Sequence, residues 1–187
     1  LFTAAVPIRQ IALLPMVAAP AVAYLLLFVP FRLKRLGAFL DPWADPTGAG
    51  YHVIQSLLAI GTGGVWGVGL SQGRQKLFYL PEPHTDFIFA VIGEELGLFG
   101  ACAIVLVFGV LAWRGLRAAG RAPDDFGTLL ATGLTIIVVA QALFNVSVTL
   151  AMVPTKGIPL PFVSYGGSSL CISMTAMGVL LNVSQGK

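Results

Sequence analysis

Charge is what this chain has least of. Asp, Glu, Lys and Arg make up 10% of its residues, against 57% apolar ones. Soluble domains carry about 25% charged residues, so a solvated globular domain is excluded. With a mean hydropathy of +0.88, the chain reads as an integral membrane protein. The net charge of +3 is too small to argue for a nucleic-acid partner. The few cations read as membrane-flank residues or binders of anionic headgroups. Cysteine is nearly missing. Cys102 and Cys171 both lie in apolar runs, which excludes a disulfide framework or a zinc spacing and reads as two buried, inert thiols. Nucleotide fingerprints are missing too. The glycine-dense GTGGVWGVGLSQGRQK at 61–76 is not a phosphate loop, and Gly67, Gly69 and Gly73 are spaced one residue too widely for a dinucleotide turn. No small-residue cleavage site follows the first apolar run, so no signal peptide is expected. The expectation is an internal or C-terminal fragment of a longer polytopic protein.

Four apolar stretches are present, at about 11–31, 87–113, 126–148 and 168–183. Each is long enough, or nearly so, to cross a bilayer as a helix. The fold class is therefore an all-α polytopic membrane protein, read as one membrane domain over 1–187. Pro15 and Pro20 kink the first span, and Arg32, Lys34 and Arg35 mark its edge. A long loop with short helices fills 36–85. Asp41-Pro42 and Asp45-Pro46 favour turns, and Trp43 is a candidate interfacial anchor. YHVIQSLLAIG is too short to span. It reads as a short helix with Val53, Ile54, Leu57, Leu58 and Ile60 on one side and His52, Gln55 and Ser56 elsewhere. The glycine-dense stretch reads as irregular backbone packed on helices, or as N–H groups turned to a phosphate beside Arg74 and Lys76. Gly93 and Gly97 form a small-xxx-small pair that admits a close neighbour, and Gln141 and Asn145 share a helix face suited to interhelical hydrogen bonds.

The stretch YLPEPHTDFIFAVIGEELGLFG, 79–100, is where polar chemistry meets an apolar helix. Asp86 stands at the helix mouth. It suits a capping residue and equally a functional carboxylate; desolvation pulls its pKa up and the helix dipole pulls it down. Glu82, His84 and Asp86 alternate, which would suit a divalent cation in a strictly extended chain but not in polyproline geometry. Glu94 and Glu95 lie roughly 12 Å further along the helix. They read as structural hydrogen-bonding groups or as the wall of a polar cavity. Lys156 is the only charge between Leu150 and Ser169, so it is either a solvated loop lysine or an anion contact. Gly166-Gly167-Ser168-Ser169 opens the last helix, as a cap or as N–H groups for an anion.

Four segments, FLDPWADPTGAGY, QSLLAIGTGG, GRQKLFYLPEPHTDFIFAVIGEELG and IPLPFVSYGGSS, closely resemble the SEDS family (shape, elongation, division and sporulation). The wording is nearest the division branch, with sporulation members close and the elongation branch more distant. The resemblance implies a protein of about ten helices, of which this chain is the C-terminal half with about four. It implies a bacterial cytoplasmic-membrane protein at the division site. The long loop and the Lys156 loop would face outside, and the Arg114–Asp125 loop the cytoplasm. Charge alone leaves sidedness open, because Arg114, Arg117 and Arg121 are offset by Arg32, Lys34 and Arg35. The implied activity is a peptidoglycan glycosyltransferase polymerising lipid II. The implied partners are a class B penicillin-binding protein and other membrane proteins of the division complex. By the HTDFIF motif the family's essential aspartate falls on Asp86, and a family lysine falls on Lys156. Asp86 would be the general base of an inverting transfer. Arg74, Lys76, His84, Lys156 and Ser168 are candidate substrate contacts, and a divalent cation, Mg or Mn, is a candidate for the pyrophosphate. Two rival functions remain at this level: a flippase for the lipid-linked precursor, and a non-enzymatic scaffold of the division complex.

Overall fold

The structure is a computed structural model and describes residues 13, 15–20, 24, 37–48, 50–73 and 85–185. Among these residues there are helices and no strands. Most of the expected span at 11–31 lies outside the described residues, as do Arg32, Lys34 and Arg35; residues 15–20 are helical.

In the expected loop region residues 37–40 are helical, and a single 3₁₀ turn follows at Pro42–Ala44. Proline presets its first φ, and the Asp41 carboxylate accepts from the Trp43 N–H at 3.1 Å. Helix α1 follows at Tyr51–Gly63. Three long helices then complete the chain: α2 at Ile88–Ala119, α3 at Asp125–Thr149 and α4 at Gly167–Gln185. Each is long and apolar enough to cross a membrane. Asp124 caps α3, its carboxylate accepting from the Gly127 N–H at 3.2 Å, the end preferred by an acidic side chain.

Helices α2 and α3 form the main packed pair, and α1 docks on the start of α2. Phe108 of α2 meets Val138 and Ala142 of α3 and Leu160 of the following loop. Ala59 of α1 packs with Phe87, Ala90 and Val91 at the mouth of α2 and with Val148 near the end of α3. The buried face of α1 differs from the expected one. It is Val53, Ile54, Ser56, Ala59 and Gly63, while Leu57 and Leu58 are exposed. Small residues face the bundle because the backbones approach closely: a Cβ on Gly63 would overlap the carbonyl oxygen of Gly93. Ser56 joins that face because its hydroxyl donates to the Thr149 carbonyl at 2.8 Å.

Much of the apolar surface of the three spans points outward, including Leu106, Ile137 and Ile172. Cys102 and Cys171 are exposed as well, which corrects the expectation of buried thiols. In a bilayer an apolar run marks contact with lipid as readily as with protein.

Candidate functional site

Helix α2 is one hydropathic run but two pieces of helix. Gly97 adopts φ 65° and ψ −160°, a region open essentially to glycine alone. The break frees backbone groups, and the glycine-dense segment takes them up. The Val68 and Gly69 N–H groups donate to the Glu94 and Glu95 carbonyls at 3.0 and 3.1 Å, and the Leu98 N–H donates to the Gly64 carbonyl at 2.9 Å. Gly93 and Gly97 thus admit a close neighbour, as their spacing suggested, and that neighbour is α1 with its glycine-rich tail. The N–H groups of Gly67, Val68, Gly69 and Gln72 all serve backbone carbonyls, so a phosphate cradle built from them is corrected to a tight structural joint. Buried Glu94 lies against the same segment, with Oε2 at 2.8 Å from the position a Cβ would take at Gly73.

Above this joint stands Asp86, in a turn two residues before α2. The helix N-cap is Phe87, and its side chain makes no capping hydrogen bond. Asp86 is half-buried, beside the positive end of the helix dipole. The neighbouring Phe87 ring is buried and stacks on His52 of α1, with ring centroids 6.1 Å apart.

The backbone of this turn is held from two directions. Asn145 of α3 is 1% exposed, and its amide donates to the Asp86 carbonyl at 2.8 Å and to the Ile158 carbonyl at 2.7 Å. Gln141, one turn earlier, donates to the Pro159 carbonyl at 2.9 Å. The shared face of Gln141 and Asn145 therefore binds a loop rather than another helix. The Ser164 hydroxyl donates to the Thr85 carbonyl at 2.6 Å and accepts from the Leu160 N–H at 2.7 Å. Two side chains thus tie the α3–α4 loop to the turn that carries Asp86.

The result is a strap laid across the carboxylate. A Cβ placed on Gly157 would lie 2.8 Å from Asp86 Oδ2. Lys156 is the preceding residue and is exposed. The fold therefore brings together a carboxylate and a strap bearing a lysine, 70 residues away in the chain. Ser168 is exposed in the first turn of α4, four residues beyond Ser164. Arg74, Lys76, Glu82 and His84 lie outside the described residues. Among the described residues no cluster of three His, Cys, Asp or Glu side chains is placed to hold a metal ion. Glu82 and His84, which an alternating cation site with Asp86 would need, are among the residues outside that description. Gly157, Ser164 and the clamping role of Asn145 went unremarked in the sequence. Only the helix-face spacing of Asn145 hinted at it.

A family model described as cell cycle protein, FTSW_RODA_SPOVE, matches residues 1–187. A probable peptidoglycan glycosyltransferase FtsW from Geobacter sp. (strain M18) is 52% identical over 184 residues, covering 98% of this chain and 50% of that protein. Stage V sporulation protein E from Bacillus subtilis (strain 168) is 48% identical over 185 residues, covering 99% of this chain and 50% of that protein. The fold is similar to a chain in a solved structure described as structural coordination of polymerization and crosslinking by a peptidoglycan synthase complex. The TM-score is 0.64 at 27% identity, with 95% of this chain and 47% of that one covered. The chain spans about half the length of the curated relatives it matches. With a match from end to end and relatives near half identity, the chain belongs to the FtsW, RodA and SpoVE family of cell cycle proteins.

Proposed function

We propose that this chain carries the catalytic end of a peptidoglycan glycosyltransferase, one that polymerises lipid II during cell division. The observation that carries the reading is the placement of the Asp86 carboxylate under the Lys156 strap at the mouth of a membrane helix. Glycosyl transfer from a lipid-linked pyrophosphate needs both groups at a bilayer edge, because the donor's tail stays in the lipid. The acceptor hydroxyl oxygen attacks the anomeric carbon of the donor, and its proton passes to Asp86. The bond from that carbon to the pyrophosphate breaks, and the electron pair leaves with the pyrophosphate oxygen. Lys156 faces the charge that develops there. Attack opposite the leaving group inverts the centre, so an α-linked donor becomes a β-linked polymer. A positioned general base contributes roughly 10²–10⁴-fold.

In this reading the protein sits in the bacterial cytoplasmic membrane with Asp86 on the outer face. It works with a class B penicillin-binding protein and other membrane proteins of the division complex. The names of the FtsW relatives and the synthase complex with a similar fold support it. The test is lipid II polymerisation by the complete protein with its partner, wild type against Asp86→Asn. The variant should insert, melt as wild type does and bind lipid II, yet lose at least about 10²-fold in rate. Undiminished polymerisation would end the assignment of Asp86 as base.

A further inference from the structure

At the other end of α2 a groove of about 580 Å³ opens between α2 and α4. That volume falls within the range of small-ligand sites, about 300–1,000 Å³. Three cations line it from one side: Arg114, Arg117 and Arg121. Arg114 and Arg117, three residues apart, share one face of α2, and Arg121 follows in the turn just past its end. Beside them the groove is apolar, with Leu111 from α2 and Leu180 and Leu181 from α4. Arg117 is held over the Trp113 ring, 5.5 Å from its centroid, and Trp113 is exposed. A tryptophan beside arginines is the mark of the headgroup level. Arg114 lies 17 residues beyond the Gly97 break, roughly 25 Å along the lower piece of α2, so this groove is separate from the Asp86 site.

Arginines at a helix C-terminus also complement the dipole, but that alone does not place them around an apolar groove. Among the described residues none of the three guanidiniums is paired with a carboxylate. The nearest acids in sequence, Asp124 and Asp125, stand at the N-terminus of α3 instead. Guanidinium forks match phosphate oxygens, and greasy walls beside them match a hydrocarbon chain rather than a free anion.

We propose that this groove binds an anionic glycerophospholipid of the surrounding bilayer. Its phosphate is received by Arg114, Arg117 and Arg121, and one acyl chain lies along Leu111, Leu180 and Leu181. The assignment is independent of the catalytic reading. It also disfavours another stretch of protein as occupant, since a packed segment would have to neutralise three cations at the groove wall.

The test is lipid retention by the complete protein, read by native mass spectrometry after exchange into micelles doped with one probe at a time. The probes are phosphatidylglycerol, phosphatidylcholine and a polyprenyl phosphate. Phosphatidylglycerol should be retained several-fold over phosphatidylcholine. Combining R114Q, R117Q and R121Q should erase that preference. The three corresponding Arg→Lys changes should restore part of it. Leu181→Trp, at an exposed wall position, should lower retention of both glycerophospholipids by filling the groove. Equal retention of the two by the wild type would overturn the proposal. So would a preference that survives the triple glutamine variant. An arginine-dependent preference for polyprenyl phosphate over phosphatidylglycerol would overturn it in favour of a lipid carrier.

Discussion

Replacing Gly157 with alanine aims a methyl group at the proposed base. The new carbon would stand 2.8 Å from Asp86 Oδ2, where ordinary contact begins at 3.4 Å. Something must move by about 0.6 Å, the difference between those two distances. The strap is the stiffer side. Ile158 and Pro159 are tied to α3 by Asn145 and Gln141, and Leu160 is tied to Ser164. The carboxylate is the end of a rotatable side chain, so the carboxylate should yield. Misplacing a reacting group by about 1 Å costs on the order of 10²-fold, so this shift should lower kcat roughly tenfold. Stability should not suffer. Gly157 is exposed, its φ lies outside the left-handed region, and glycine-to-alanine changes at compatible sites stabilise by about 0.4–1 kcal/mol through the unfolded chain. The assay is lipid II polymerisation by the complete protein beside a thermal melt. A variant with wild-type kcat would refute the claim that the strap sets the carboxylate's position. A variant that loses rate and melting temperature together would refute the claim that the effect is local.

Asn145→Leu keeps the side chain's bulk and removes both of its donors. The Asp86 and Ile158 carbonyls then lose their partner, at about 1–3 kcal/mol for each group left unsatisfied. Loss of the buried, unpartnered Asn145 Oδ1 offsets part of that. The expected outcome is a lower melting temperature and a kcat reduced about 10²-fold with KM little changed; wild-type values of both would remove Asn145 from the site. Gly97→Ala demands a side chain where φ is 65° and where a Cβ would meet the Val65 carbonyl oxygen at 2.6 Å. Backbone strain alone costs on the order of 1–3 kcal/mol, so the melt should shift down clearly. An unchanged melt would mean the helix runs straight through this position.

How far the sequence could be read depended on which physical signal each feature carries. Hydropathy located three spans at 87–113, 126–148 and 168–183, and the helices are Ile88–Ala119, Asp125–Thr149 and Gly167–Gln185. The end of α2 was placed six residues early because the apolar signal stops at Arg114. Helical hydrogen bonding does not stop there, as the Ala118 and Ala119 positions continue the same turn. The face of α1 was misjudged for a related reason. Periodicity assigns large residues inward, whereas a backbone-to-backbone approach at Gly63 and Gly93 selects small ones. Asp86 was legible as a carboxylate at a helix mouth, and Lys156 as a lone charge. The close approach of Gly157 to the carboxylate was not, because it depends on Asn145 and Ser164 gripping main-chain carbonyls. A carbonyl acceptor belongs to every residue and leaves no trace in sequence.

The break at Gly97 also fixes how deep each half of α2 can sit. From residue 98 to Trp113, the residue that marks the headgroup level, the lower piece has 16 residues, or about 24 Å of helix. That falls short of a hydrocarbon layer of about 30 Å, so the last turn of the upper piece, Ile88 to Gly97, has to make up the difference. Glu94 and Glu95 then come near the rim of the layer, with Glu94 sheltered against Gly73, and under the proposed function the aspartate above them stands clear of the hydrocarbon.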